Sequence, residues 1–443
     1  GTGGVAQYNH AILLGLRSRG YGTICVQGKT ANPLIDRQIA AGVEHEWLNF
    51  DTIRQFDRVV FDATQATDIF TRRRPDVILF SDNCPFSNLA AKHAARQLGI
   101  PYLATIGFVA ADLSRHLGDL DSTPYLNALS AAYEAAEAVI AVSGENLEML
   151  RRVYQMPADG GQVIHYGRSD DYFTPRSAAT RDRLRRELGI PADAVVYLTA
   201  ARLEAVKGYQ YQLEAIRRLW QMACWQHLYF VWVGDGILKE ELESAIEALN
   251  VGDRVKLLGQ RWDVADWHDA ADAFILPSEL EGMPLAIMEA MAKGNPVIAS
   301  AVSGIPEELG ETGYLLPDPN FNPEATIAAL VGTIERWTAD AKLRETLGCA
   351  SQLRAREMFR EARMVAQTIT QIDRALLPKG DYVSPGLAIV LPDTAFPQMT
   401  LGEPNTCPWP YLRREIPHNW YIDRRNPTIG FLSRDEAQIL YNT

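Results

Sequence analysis

Two glutamates lie eight positions apart in the segment PSELEGMPLAIMEAMAKGNPVIAS, residues 277–300. Because Pro284 suits the first turn of a helix and Gly294 suits a helix end, the pattern predicts a helix between them. Glu281 then lies in the loop before this helix, and Glu289 lies more than one turn inside it. Their spacing does not place them on one helix face, but both carboxylates can still contact one ligand.

The start of this predicted helix has a chemistry of its own. Backbone N–H groups that lack helical partners point out of a helix start and attract phosphate. Here these groups belong to Gly282, Met283 and Leu285. A carboxylate beside them would accept hydrogen bonds from sugar hydroxyls, so the segment suits a ligand that carries both a phosphate and a sugar.

A pair of cationic residues precedes this segment in the chain. The stretch ARLEAVKGYQYQL places Arg202 and Lys207 directly after a predicted buried strand. Doubly wound sheets bind ligands at the C-terminal ends of their strands. A guanidinium forks across phosphate oxygens and an ammonium adds a point charge, so the two residues could neutralise a leaving diphosphate. Surface loops often carry such a pair, and only its occurrence together with the glutamate segment favours a site.

Composition narrows the function classes. A length of 443 residues is sufficient for two domains and a tail, and the net charge of −12 argues against a nucleic-acid partner. The one tight basic run, Arg72, Arg73 and Arg74, is interpreted as a solvated helix or loop end. The alternative is that this run contacts an anionic group, such as a lipid head group or an acceptor phosphate. Because the solvated end is the preferred interpretation, peripheral membrane binding is not favoured.

The cysteines bear on location. The five cysteines are scattered and form no Cys-x-x-Cys pair, which is typical of a reduced cytoplasmic protein without structural zinc. No apolar run approaches the roughly 18 residues of a membrane-spanning helix, and we see no signal peptide. We therefore expect a cytoplasmic location.

Short apolar strands alternate with helices along most of the chain. PDVILFSDN, PYLATIGF and AVIAVS are predicted strands of a first series, and AVVYLTAARL, LYFVWVGDG, VKLLG and AFILPS belong to a second. This alternation predicts an α/β fold with two doubly wound parallel-sheet domains. The turn GTGG opens the first series without the strand that normally precedes such a turn, so we expect a first strand to be missing.

Several stretches together resemble a known family. ARLEAVKGYQYQLEAI, VGDG, LLGQ and the glutamate segment resemble the C-terminal half of glycosyltransferase family 4, retaining nucleotide-sugar-dependent enzymes that include sucrose-phosphate synthases and mannosyltransferases. GGVAQYNHAILLGLRSRGY, AVIAVSGENLEMLRRVY and VIHYGRSDDYF resemble the N-terminal half more loosely. The resemblance covers residues 1–375 and implies the GT-B fold, in which two Rossmann-like domains face each other across a cleft.

The resemblance implies a division of the chain. Residues 1–168 are expected to form the acceptor-side domain and residues 169–345 the domain that binds the nucleotide sugar. Residues 346–375 are expected to form a closing helix. The proline-rich residues 376–443 are interpreted as a tail or a linker to a further domain of the same polypeptide.

The resemblance also implies roles for the motif residues. Arg202 and Lys207 would hold the donor diphosphate, Glu281 would meet the donor sugar, and Glu289 would bind the ribose hydroxyls. Of these, Glu281, Arg202 and Lys207 are the expected catalytic group. The other expected donor-binding residues are the closing loop Gly3 and Gly4, then Gly234, Leu258 near the base, Gly282, Met283, Pro284 and Leu285.

The chain departs from the family at one position. Members usually carry a histidine two residues after the threonine of the strand that corresponds to PYLATIGF, whereas this chain has Gly107. That histidine commonly touches the donor sugar, so its absence bears on the usual sugar contact. His116 could substitute for it, and Asn83 and Asp82, after VILF, are other candidates that are expected to face the cleft. The acceptor-binding residues stay unknown, with Asn83 and His116 as weak candidates.

The implied reaction is transfer of a hexose from a nucleoside diphosphate sugar to a hydroxyl, with retention of configuration. No carboxylate pair has metal-ligand spacing, so we predict a metal-independent reaction without a cofactor. Because the first half is near neutral in charge, a soluble acceptor is expected. The alternatives are a nucleotide-sugar 2-epimerase of the same fold and a degenerate sugar-nucleotide-binding module. UDP, GDP and ADP remain open as donor nucleotides.

Overall fold

The structure, a computed structural model, describes residues 3–29, 32–49, 62–118, 121–377, 388–389 and 420–421. The chain forms two units, Gly1–Ala375 and Leu376–Thr443. In the second unit, the described residues form a short antiparallel pair of β13 (Ala388–Ile389) and β14 (Trp420–Tyr421). The rest of the predicted tail lies outside the described residues.

The described residues of the first half of the larger unit form two parallel sheets. One pairs β1 (Ile24–Gly28) with β2 (Glu44–Leu48). The other has the order β3-β4-β5-β6 and consists of β3 (Ile78–Asp82), β4 (Tyr102–Ile106), β5 (Ala138–Ala141) and β6 (Gln162–Val163). All of β4 is buried, as expected for a strand of a parallel sheet that is covered on both faces.

Seven described helices accompany these strands. They are α1 (Gly4–Ser18), α2 (Leu34–Ala40), α3 (Thr64–Arg73), α4 (Leu89–Gln97), α5 (Ser114–Leu117), α6 (Thr123–Ala135) and α7 (Gly144–Val153). Two residues of the basic run at the end of α3 are paired within the chain, because Arg72 and Arg73 form ion pairs with Glu46 and Glu44 of β2.

The second half contains a six-stranded parallel sheet of order β12-β11-β10-β7-β8-β9. Its strands are β7 (Val195–Ala200), β8 (Leu228–Val233), β9 (Val255–Leu257), β10 (Ala273–Leu276), β11 (Val297–Ser300) and β12 (Tyr314–Leu316). The chain runs outwards from β7 to β9 and then returns to β10, which pairs with β7. Ligands bind at such a reversal of strand order, so the segments that follow β7 and β10 form the expected place for a site.

The helices of the second half precede the first of these strands or lie between them in the chain. They are α8 (Ala178–Glu187), α9 (Tyr209–Leu219), α10 (Lys239–Ala248), α11 (Val264–Ala270), α12 (Leu285–Ala292) and α13 (Ile305–Leu309). Side chains of α9 and α10 form one core with β7, β8 and β10, in which Trp232 and Phe230 are almost completely buried.

Three long helices follow β12: α14 (Pro323–Ala339), α15 (Ala341–Met358) and α16 (Glu361–Ala375). The sequence predicts one closing helix over residues 346–375, whereas the structure divides this region at residues 359–360. There Arg168 donates its backbone N–H to Phe359 O at 2.8 Å, and Glu361 N–H donates to Arg168 O at 2.9 Å. The break lets α16 pack against α1 of the first half, where a side chain at Gly15 would overlap Val365.

None of the helices within the described ranges combines the length and the apolar character that a bilayer crossing requires.

Candidate active site

Lys207 and Glu281 form an ion pair at the reversal of strand order. Lys207 ends the 3₁₀ turn Ala205–Lys207 after β7, and Glu281 lies in the loop after β10. Lys207 Nζ donates to Glu281 Oε1 at 2.7 Å, and Ser278 Oγ donates to the same oxygen at 2.8 Å. Both charged side chains are mostly buried. The structure therefore joins one member of each predicted motif in a single contact.

A close backbone approach brings these two loops together. Glu279 N–H donates to Val206 O at 2.8 Å. Gly208 has a left-handed backbone with φ +76°, and a Cβ atom at this position would overlap Pro277 O. Glycine adopts this conformation readily and leaves room for the carbonyl, so Gly208 permits the contact between Lys207 and Glu281.

Arg202 lies apart from this pair. Its guanidinium forms an ion pair with Glu204 of the same loop, and the Arg202 side chain is 68% exposed. The structure thus places Arg202 at the expected strand end but does not bring it into contact with Lys207 or Glu281 among the described residues.

Gly234 and Leu258 follow β8 and β9 at the same edge of the sheet. Gly234 N–H donates to Gly259 O at 2.9 Å, and Leu258 N–H donates to Trp232 O at 2.9 Å. A Cβ atom at Gly234 would overlap Ala201 O, which brings this turn against the loop that carries Arg202.

The start of α12 differs in detail from the sequence prediction. Pro284 is the N-cap residue with an extended backbone, φ −73° and ψ 116°, and the helix begins at Leu285. The prediction that Pro284 lies within the first turn was therefore wrong by one residue. Gly282, Met283 and Pro284 are buried.

Glycines of the two halves meet at this helix start. A Cβ atom at Gly282 would overlap the carbonyl oxygen of Gly107. A Cβ atom at Gly4, in the first turn of α1, would lie 3.8 Å from Leu285 Cγ. Gly3 is the exposed N-cap residue of α1 and has no atom near its Cβ position. The predicted closing loop thus lies against the predicted donor-binding helix through Gly4.

Glu289 has a partner that the sequence analysis does not identify. Arg168 Nη2 lies 2.9 Å from Glu289 Oε1, and each side chain is about one-tenth exposed. Arg168 also donates to Gln7 of α1, and its guanidinium lies 4.6 Å from the centroid of the Tyr172 ring. The available signal was a single cation in VIHYGRSDDYF, the segment that leads from the first half into the second.

The acceptor-side candidates are not assembled into a cluster. Asn83 is exposed, whereas Asp82 is completely buried and pairs with Lys92 at 2.5 Å, so the expectation that Asp82 faces a cleft was wrong. His116 lies in α5, and its side chain is outside the described part of the chain. At Gly107, a Cβ atom would lie 2.7 Å from Tyr166 Oη and 2.9 Å from Val5 Cγ2, so this position has no room for a histidine.

A carboxylate of α13 links the second half to the first. Glu307 Oε2 accepts from Gly144 N–H at 2.6 Å at the start of α7, and Glu307 Oε1 lies 2.6 Å from His165 Nε2. Burial raises the pKa of Glu307, but the hydrogen bonds from His165 and Gly144 outweigh it and hold the pKa below its usual value. The charge at the start of α7 also favours the carboxylate.

The neighbouring Glu308 has the opposite environment. It is fully buried, and this burial, together with the charge of Glu281, raises the pKa of Glu308 well above its usual value. The buried environment of Glu308 thus favours its neutral carboxyl form beside the candidate site.

No group of three or more histidine, cysteine, aspartate or glutamate side chains in the described ranges is arranged to hold a metal ion.

Two family models match successive parts of the chain. The model for "Glycosyltransferase Family 4" matches residues 2–172, and that for "Glycosyl transferases group 1" matches residues 180–354. Among curated proteins, the α-D-kanosaminyltransferase of Streptomyces kanamyceticus is 30% identical over 220 residues, 49% of this chain and 55% of that protein. The D-inositol 3-phosphate glycosyltransferase of Streptomyces scabiei is 31% identical over 239 residues, 50% of this chain and 53% of that protein. The chain thus matches about half the length of these relatives.

Solved structures show the same fold. Anabaena Alr3699/HepE in complex with UDP has a TM-score of 0.69 and 21% identity, covering 84% of this chain and 97% of that chain. Sucrose-phosphate synthase from Thermosynechococcus elongatus has a TM-score of 0.66 and 22% identity, covering 84% of this chain and 94% of that chain.

Proposed function

This chain belongs to the group 1 and family 4 glycosyltransferases of GT-B fold, and we propose that it transfers a hexose from a nucleoside diphosphate sugar to a hydroxyl acceptor. The observation that carries the proposal is the Lys207–Glu281 pair, which lies at the reversal of strand order with a distance of 2.7 Å. A cation and a carboxylate at this place suit a ligand with a diphosphate and a sugar.

In the proposed reaction, Lys207 stabilises the negative charge that develops on the departing diphosphate. Glu281 accepts hydrogen bonds from hydroxyls of the donor sugar. The bond between the anomeric carbon and the diphosphate oxygen breaks, and its electron pair goes to the diphosphate. The acceptor oxygen bonds to the anomeric carbon from the same face, with retention, and its proton passes to the leaving phosphate oxygen.

Other donor contacts belong to the same proposal. Arg202 would add a second contact to the diphosphate, and Glu289 would bind the ribose, once each exchanges its present partner, Glu204 or Arg168, for the donor. Gly3 and Gly4 would close over the phosphates. Gly234 and Leu258 would lie along the nucleoside, and the backbone of Gly282, Met283, Pro284 and Leu285 would border sugar and phosphate.

We propose a metal-independent reaction without a cofactor, because Lys207 provides a positive charge where the diphosphate leaves. Added EDTA should leave turnover unchanged. We also propose a soluble acceptor and a cytoplasmic location. The soluble acceptor is supported by the ion pairs of Arg72 and Arg73 with glutamates, which reduce the attraction of these arginines for anionic lipid. The cytoplasmic location is supported by free thiols, which belong to Cys25, Cys84, Cys224 and Cys349.

A two-stage screen tests the function. Purified protein is incubated with UDP-, GDP- and ADP-hexoses, and release of the nucleoside diphosphate is measured. Acceptors are then screened with the best donor. Product formation that depends on an acceptor supports the proposal. Formation of an epimerised donor without acceptor would indicate the 2-epimerase. Nucleotide binding without turnover across the acceptor panel would indicate the degenerate binding module.

A further inference from the structure

The buried ion pair between Arg168 and Glu289 is incompletely hydrogen-bonded. Arg168 Nη2 lies 2.9 Å from Glu289 Oε1, and Arg168 Nη1 donates to the side chain of Gln7. The remaining donor atom of the guanidinium, Nε, is buried and has no hydrogen-bond partner among the described residues. A buried ion pair stabilises a protein only when its other polar atoms are also satisfied. The Arg168–Glu289 pair therefore requires an explanation other than stability alone.

A buried ion pair of the first half provides the comparison. Lys92 Nζ donates to Asp82 Oδ2 at 2.5 Å and to Ser87 O at 2.9 Å. Asn88 Nδ2 donates to the second oxygen of the Asp82 carboxylate at 2.8 Å. Both oxygens and the ammonium group of that pair thus have partners, whereas the guanidinium of Arg168 keeps one buried donor without a partner.

Arg168 lies where the chain passes between the two halves. The chain enters the second half at this residue and returns towards the first half at residues 359–361, which pair with the Arg168 backbone. The two crossings are in close contact, because a Cβ atom at Gly167 would overlap the carbonyl group of Arg360. The partner of Glu289 therefore comes from the connection between the halves and not from α12 itself.

A second carboxylate, that of Glu361, acts on Arg168 from the other crossing. Glu361 is half-buried at the start of α16, and its N–H donates to Arg168 O at 2.9 Å. Burial raises the pKa of Glu361, and the charge of Arg168 opposes this shift. Burial lowers the pKa of Arg168, but Glu289, Tyr172 and Glu361 outweigh burial and raise it. Arg168 thus lies between two carboxylates and forms its ion pair with Glu289.

From this arrangement we propose that Arg168 is a positioning residue that acts through Glu289. Arg168 binds the Glu289 carboxylate while the donor is absent and turns to Glu361 when the ribose hydroxyls bind Glu289. The inference rests on the proposed function, in which Glu289 binds the ribose.

The exchange has a consequence for affinity. Because the ribose must displace Arg168 from Glu289, only the fraction of molecules with a free carboxylate binds the ribose, and the apparent affinity for the nucleotide is lowered accordingly. A lowered affinity favours release of the nucleoside diphosphate after transfer, a step that limits the turnover of many enzymes.

Calorimetry with two probes tests the exchange. The probes are UDP and 2′,3′-dideoxy-UDP, which lacks the ribose hydroxyls, and the readout is the factor by which UDP binds more tightly. If the donor screen identifies a GDP- or ADP-hexose, the corresponding diphosphates replace these probes.

Two variants should change this factor in opposite directions. Arg168→Gln removes the cation that competes with the ribose, so the factor should rise by about tenfold. Glu361→Gln removes the alternative partner of Arg168, so the factor should fall by about threefold. Glu357→Gln is the matched control, because it makes the same chemical change at an exposed position of α15, and it should keep the wild-type factor.

The outcomes separate this inference from the proposed function. Wild-type protein that binds neither probe and turns over no nucleotide sugar would overturn the function and the inference together. An active wild type that binds both probes equally would overturn the ribose contact of Glu289 and the inference, but not sugar transfer.

A wild type that prefers UDP, with Arg168→Gln and Glu361→Gln variants that keep the wild-type factor, would overturn the inference alone. That result is also expected from a merely structural role, in which both variants lower the thermal midpoint and weaken the two probes alike. If Arg168→Gln does not fold, Glu361→Gln decides by itself, since only the exchange predicts a selective loss of affinity for UDP.

Discussion

Arg168 and Glu289 form a buried ion pair, with 2.9 Å between Nη2 and Oε1, that connects the segment between the two halves to helix α12. Arg168 also contacts Gln7 of α1, and its backbone pairs with residues 359–361. One residue, through its side chain and its backbone, therefore contacts elements from the beginning, the middle and the end of the larger unit.

Removal of Arg168 should destabilise the protein strongly. Arg168→Met leaves the Glu289 carboxylate buried without its counter-charge, which costs about 3 kcal/mol in the free energy of unfolding. Glu289→Gln should cost less, and the double variant Arg168→Met/Glu289→Gln should be more stable than Arg168→Met alone. Urea denaturation of the four proteins measures the coupling. Additive losses in the cycle would show that the two side chains do not interact in solution.

Adjacent glutamates of α13 should have opposite effects on the pH dependence of stability. Burial raises the pKa of Glu308 in the folded protein. The contribution of Glu308 to the free energy of unfolding is therefore fully present below its unfolded pKa and is lost as pH rises through the folded pKa. The advantage of wild type over Glu308→Gln should therefore be larger at pH 5 than at pH 8. Thermal unfolding at both pH values measures it. An advantage that grows with pH would contradict a raised pKa of Glu308 in the folded protein.

Glu307 provides the matched comparison. Burial raises the pKa of Glu307 in the folded protein, but the hydrogen bonds from His165 and Gly144 outweigh burial and lower the pKa. The contribution of Glu307 to the free energy of unfolding is therefore present above its unfolded pKa and is lost as pH falls. The advantage of wild type over Glu307→Gln should be larger at pH 7 than at pH 4. Two neighbouring Glu→Gln variants with the same sign would show that the environments of Glu307 and Glu308 are misassigned.

Gly208 should tolerate substitution worse than a left-handed glycine with open space at its Cβ position. Gly208→Ala adds overlap with Pro277 O to the strain of a positive φ, so it should cost clearly more than the roughly 1 kcal/mol of that strain alone. Gly189→Ala is the control, since Gly189 has φ +67° with nothing within 4 Å of its Cβ position. Equal losses of unfolding free energy in urea would contradict the close approach of the two loops.

The fold was largely predictable because its strands are short apolar runs between helices. The sequence alone could not show where the closing helix breaks, because the cause is a backbone pairing of Arg168 with residues 359–361, far away in the chain. Local periodicity contains no information about such a contact. Similarly, Pro284 is compatible with the N-cap and with the first turn, and only packing decides between them.

The candidate site was predictable where both partners lie in recognisable loops, as with Lys207 and Glu281. Arg202 is an arginine directly after a strand, which is the residue type and the place that suit phosphate binding. The sequence does not show that Glu204, two residues further on, forms an ion pair with it. Arg168 gave only the weak signal of a single cation in VIHYGRSDDYF, because its importance comes from burial and from partners elsewhere in the chain.

Donor turnover by Lys207 variants tests the central claim most directly. Lys207→Met removes the charge beside Glu281 and should lower nucleoside diphosphate release by roughly 100-fold or more. Lys256→Met is the matched control, because Lys256 lies on β9 and its Nζ donates to Gly252 O at 2.9 Å. It should retain wild-type turnover. Equal turnover by wild type, Lys207→Met and Lys256→Met would contradict the proposal that Lys207 stabilises a leaving diphosphate.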